Sequence, residues 1–220
     1  MMRLLQNHKR TFFYLLFADL TILLLHLVFA KHNTLFHLDY EMNVPTVYQS
    51  AKLILFSVFL LHQLVKKRIQ KSILGFFIPL ALFVFALGMD ELLQIHENIY
   101  RIFEWLDIFH PSKIVDASMK MGYRSSLWIL YYLPVFFAFF LWLGYWLRFF
   151  QTEIKQNFHL LIISAGAIFT VLLAEVLSST GNYSPHAYFW LTTVEEVAEM
   201  LFASSMIWIG MKVLRKHRSK

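Results

Sequence analysis

Asp90, His96, Glu97, Glu175, Glu195, Glu196 and Glu199 lie within or at the ends of long apolar runs, in MDELLQIHE, LLAEVLSS and TTVEEVAEM. A carboxylate in such surroundings costs several kcal/mol unless it is protonated, paired or bound to a metal. Carboxylates alone can carry protons or cations. With an imidazole they can also hold a divalent metal, and the His96 nitrogen suits zinc, iron or manganese. At 100° per residue, Asp90, Gln94 and Glu97 fall within about 60° of one another on a helix, and Glu195, Glu196 and Glu199 within about 100°. Glu91 lies about 140° from His96 and would face lipid headgroups. The candidate metal ligands are therefore His96, Glu97, Glu175, Glu196 and Glu199, with Asp90 or Glu195 available as a catalytic base.

Several of these residues also have a purely structural reading. Thr192-x-x-Glu195 and Thr193-x-x-Glu196 each match a capping box, in which the Glu gains from the helix N-terminal dipole. His96 beside Glu97 reads equally as a hydrated helix end. Glu199, about 10 Å below that cap at 1.5 Å per residue, and Glu175, inside an otherwise apolar run, are harder to explain in this way. His37, His110 and His186 are further candidates at the same level.

The elements that must hold these residues follow from composition. Of 220 residues 58% are apolar and 15% charged, too little polar surface to cover a soluble globule of this size. A membrane-crossing helix needs about 20 apolar residues, and six stretches qualify: 11–30, 47–65, 72–94, 127–149, 158–178 and 193–212. The expected fold is all-α, an integral membrane bundle of six transmembrane helices forming one domain over residues 1–220. Between the third and fourth spans, NIYRIFEWLDIFHP has its apolar residues at helical spacing and its charges opposite, which predicts a short interfacial helix ended by Pro111. With no Cys, disulfides, iron–sulfur clusters and thiolate chemistry are excluded.

Fourteen of the 20 Lys and Arg residues fall at the termini and in the second-to-third and fourth-to-fifth loops. By the positive-inside rule both termini are expected in the cytoplasm. The net charge of +6 then faces anionic lipid, so membrane lipids are the expected partners and nucleic acid is not; a homo-oligomer is compatible with the sequence. Of 14 acidic residues only Asp19 and Glu153 lie outside the opposite, extracytoplasmic side.

Other features read as structural. Twelve aromatic residues between Leu127 and Phe150 predict lipid-facing bulk, with Pro134 a kink. His26 and His62 lie at unmatched depths for a bis-His haem. Ser164–Ala167 predicts a close helix contact, and Pro45 suits the start of the second helix. Asp19, at mid-span, is either a helix–helix hydrogen bond or part of a proton relay.

Taken together and in order, LDYEMNVPTVYQS, MDELLQIHE, SAGAIFTVLLAE and TTVEEVAEM resemble an uncharacterised family of small bacterial multispan membrane proteins. The resemblance covers nearly the whole chain and implies a six-helix bundle, with no established activity; the expected location is the cell inner membrane. The Glu-x-x-His pairs of di-iron bundles are absent, since Glu91 and His96 are five apart and EEVAE has no His. The leading expectation is a membrane-embedded divalent-metal site facing the extracytoplasmic side, with metal-dependent chemistry on a lipid-like substrate as its enzymatic form. The alternative is a cation- or proton-coupled transporter or channel that uses the same carboxylates, with Asp19 continuing the path inwards.

Overall fold

The computed structural model describes residues 8–40, 42–66, 70–96, 98, 99, 105, 128–180 and 183–217. Glu97, Glu41, His110, Pro111 and nearly all of the expected interfacial helix lie outside them. The described residues form α-helices α1 His8–Phe29, α2 Val44–Val65, α3 Leu74–Leu93, α4 Trp128–Leu147, α5 Gln151–Gln156, α6 Phe158–Thr180 and α7 Pro185–Lys216. No strand occurs among them. Five of these helices are long and apolar enough to cross a membrane, and Tyr131–Leu147 within α4 forms a shorter apolar helix. Helix is the form such runs must take, because it satisfies every backbone N–H and C=O within the segment where lipid offers no partner.

Local signals fix the helix starts. Asn43 caps α2, its side-chain oxygen accepting from the Thr46 N–H, with Pro45 in the first turn. Ser184 caps α7 in the same way through Ala187 N–H, with Pro185 in the first turn. The sixth helix therefore begins eight residues before the expected Thr193, and the two capping-box readings fall. Glu195 and Glu196 are in its third turn. A second departure is at Gln94, which takes a left-handed conformation (φ 54°) and ends α3. The expected common face of Asp90, Gln94 and Glu97 assumes an unbroken helix, whereas α3 ends before Gln94, and Glu97 lies outside the described residues.

The helices pack as two antiparallel hairpins, α2 with α3 and α6 with α7, and α1 lies along α7. Ser50 Oγ donates to Gly88 O and Ser57 Oγ to Ala81 O, both at 2.6 Å, tying α2 to α3 at two levels. Gly88 is required at this crossing, since a Cβ there would lie 2.8 Å from Ile54 Cγ1 and 3.2 Å from Ile54 N. Ser164 and Ser205 share a 2.6 Å hydrogen bond between α6 and α7, and Ala167 is buried, whereas Gly166 faces open space. The fourth-span aromatics are not only lipid-facing bulk: Trp142 stacks on Phe76 at 5.1 Å and Phe139 on Phe83 at 4.0 Å, which makes an aromatic seam against α3.

We call the end where α1 finishes and α7 starts the acidic end, and the opposite one the basic end. Towards the basic end the bundle is filled by Phe56, Phe59, Leu60, Phe76, Phe77, Ile207 and Met211. At that end itself Glu153 accepts from Lys216 at 2.7 Å and bonds His217 at 3.0 Å. Its own burial would raise the Glu153 carboxyl, but the Lys216 bond, a backbone N–H and the His217 bond prevail and hold it below the usual carboxylate range.

Candidate functional site

At mid-bundle Asp19 of α1 is buried and fully partnered. Lys52 Nζ of α2 donates to Asp19 Oδ1 at 3.0 Å, Tyr48 OH to the same oxygen at 2.6 Å, and Ser204 Oγ of α7 to Oδ2 at 2.6 Å. Lys52 also donates to Met200 O at 3.1 Å and to Ser204 Oγ at 3.3 Å, and its side chain is 1% exposed. Three helices thus contribute to one buried ion pair. Its low-dielectric setting makes the attraction strong and the loss of either partner costly. Lys52 is within charge range of Glu91 and Glu199, so the pair is electrostatically continuous with the acidic end.

Nearer the acidic end, Glu195 of α7 and Glu175 of α6 are in side-chain hydrogen-bond contact, with Glu199 and Asp39 within charge range. Two carboxyl groups in contact cannot both be bare anions. A shared proton or an inserted cation has to join them. Asp39, from the segment between α1 and α2, reaches the group through Tyr188, whose hydroxyl donates to Asp39 Oδ1 at 3.4 Å. Glu199 stands one turn deeper than Glu195 and is half-buried. It is in range of Glu195 on one side and of Lys52 and His96 on the other. Glu196 is half-buried on the adjoining face of α7.

The third centre is at the end of α3. The left-handed Gln94 turns the chain so that His96 Nδ1 comes back to Asp90 Oδ2 at 3.1 Å, while Tyr132 OH of α4 donates to Asp90 Oδ1 at 2.5 Å. Burial alone would lower the His96 imidazole. The Asp90 hydrogen bond and the charges of Asp90, Glu91 and Glu199 overcome it and raise the pKa from 6.5 to about 9. Near neutral pH His96 is therefore a charged hydrogen-bond donor to Asp90. Glu91, on the same helix end, is within charge range of Lys52 and His96.

Of the expected ligands and bases, the fold joins Glu175 to Glu195 and Asp90 to His96, and places Glu199 between the two pairs. Among the described residues no group of three or more His, Asp or Glu side chains is arranged to hold a metal ion. The chain belongs to the family described as Domain of unknown function (DUF8692), whose model matches residues 20–211. That span includes Asp19's neighbours, Lys52 and all the acidic residues of α3, α6 and α7. No curated protein and no solved structure matches the chain.

Of two residues that matter here, one carries a weak sequence signal. Lys52 stands out as the one Lys or Arg inside the second apolar run, and it could have been matched with Asp19 on that ground alone. His26 gives no such hint. It is fully buried, Nδ1 accepting from Leu38 N–H at 3.1 Å and the other ring nitrogen 2.9 Å from Thr193 Oγ1, with Phe189 stacked on its face at 4.7 Å. It fastens the segment between α1 and α2 onto α7, which brings Asp39 to Tyr188.

Proposed function

We propose that this DUF8692 protein is a cation- or proton-coupled membrane carrier. The acidic end is its mouth, facing the extracytoplasmic side of the bacterial inner membrane, and both termini are cytoplasmic. α4 supplies a sixth crossing in this reading, and membrane lipids cover the exposed faces. One observation carries it: the contacting carboxyls of Glu175 and Glu195 lead through Glu199 to a buried Asp19–Lys52 pair at mid-bundle. Ionisable groups are expensive in an apolar core, and a graded series of them fits the passage of a positive charge better than it fits scaffolding. The packed apolar half beyond Asp19 closes the path towards the basic end, as a carrier at rest requires and a continuously open channel does not.

The test is proton movement in liposomes containing the purified protein and an internal pH dye. Adding Na⁺ or K⁺ outside, with choline as control, should shift the internal pH, and Glu199→Gln should slow this strongly while leaving the protein folded. An unchanged internal pH with both alkali cations would sink the carrier reading. A stoichiometric divalent metal in the purified protein, with activity abolished by chelator, would replace it by the metal-dependent reading on the same carboxylates.

A further inference from the structure

The oxygen atoms around the Lys52 ammonium form the kind of shell that a dehydrated cation takes. Asp19 Oδ1 is at 3.0 Å, Met200 O at 3.1 Å and Ser204 Oγ at 3.3 Å, a carboxylate, a backbone carbonyl and a hydroxyl drawn from α1 and α7. Met200 O is a helix carbonyl turned to a side chain from another helix, a use of backbone seen where cations are held inside membranes. A further acceptor is near. Gln49 is one helical turn along α2 from Lys52, is 7% exposed, and its Oε1 is buried without a hydrogen-bond partner.

The geometry points to a monovalent cation site at Asp19, Met200 O and Ser204, occupied in this structure by the protein's own Lys52 ammonium, which an alkali cation replaces one for one. One carboxylate balances one positive charge. A divalent ion would leave the buried centre with an excess charge, and burial penalises that heavily. Replacement keeps the balance if Lys52 gives up its proton: one alkali cation enters, Lys52 becomes a neutral amine, and one proton leaves towards the acidic end. Tyr48 OH and Ser204 Oγ stay on Asp19 through the exchange, so the carboxylate is never without donors. The charged groups that bear on the site are Asp19 itself, Glu91 and Glu199, and the latter two favour positive charge whichever cation carries it. This inference rests on the carrier reading and adds to it the coupled ion and a one-to-one exchange.

Equilibrium binding tests the site apart from transport. In detergent, with ionic strength held constant by choline chloride, Na⁺ or K⁺ should raise the melting temperature of Lys52→Gln in a saturable way, because a ligand of the native state stabilises it by mass action. The double variant Asp19→Asn with Lys52→Gln should not respond. A single variant indifferent to alkali cations, or one that responds as the double variant does, would overturn the site. Should Lys52→Gln fail to fold, the wild-type protein gives the answer in weakly buffered detergent with a pH indicator. Adding Na⁺ or K⁺ should release protons, choline should not, and the absence of any release overturns the proposal. Binding without flux in liposomes would keep the site and remove the carrier; flux without cation-dependent binding or proton release would do the reverse.

Discussion

Asp19 and Glu195 are both carboxylates inside apolar helices, and the protein neutralises them in different ways. Asp19 has a cation of the protein beside it, Lys52, which with Tyr48 and Ser204 makes three donors from α2 and α7. Glu195 has another acid, Glu175, and no cation of the protein within hydrogen-bond contact among its described interactions. The first centre joins opposite charges, whereas the second joins two acids. Asp90 falls between them, with a cation, His96, that can itself lose its charge. The three acids therefore differ in what neutralises them: a lysine at Asp19, a histidine at Asp90 and a second carboxyl at Glu195.

The largest expected effect breaks the first centre. Lys52→Met leaves Asp19 buried and unpaired, which should cost about 3–5 kcal/mol in unfolding measurements. Adding Asp19→Asn should restore most of that loss, since both charges are then gone. With choline as the only added cation, a Lys52→Met protein as stable as wild type would mean that the Asp19–Lys52 pair does not hold the bundle together, and the contrast with Glu195 would collapse.

A smaller effect is expected at His96, whose side chain is 20% exposed and so partly screened by water. Its folded pKa, about 9, is above the ordinary 6.5. The stability it contributes is therefore complete below about pH 6.5, declines as the pH rises and is gone above about 9. Melting curves across that range should show this decline in wild type and a flatter profile in His96→Gln. A wild-type profile that rises instead would remove the ion pair with Asp90.

The smallest effect sharpens the second centre. Glu195→Gln keeps a hydrogen bond to Glu175 without needing a shared proton, so at neutral pH its stability should stay within about 1 kcal/mol of wild type. Glu175→Gln should behave alike, because an amide on either side keeps the hydrogen bond between the two helices. A loss as large as that of Lys52→Met would show that a bound cation, not a proton, joins the two acids.

The sequence by itself determined the helices and their polarity. Runs such as 74–93 and 158–180 have no alternative to helix in lipid, and Asn43 with Pro45 or Ser184 with Pro185 mark where two of them begin. It also determined that acids gather at one end, since antiparallel runs of matched length bring Asp90, Glu175 and Glu195 to a common level. Only the tertiary structure decided how those acids are paired. Lys52 and Asp19 are 33 residues apart, and Ser204 is 185 from Asp19, so their meeting depends on how α1, α2 and α7 rotate and cross. Gln94 in a left-handed turn, a conformation that its residue type does not announce, swung His96 onto Asp90 and ended the helix that the predicted face assumes. Spacing along one helix sets which residues share a side, while contact between helices is set by packing, to which hydrophobic periodicity is nearly blind.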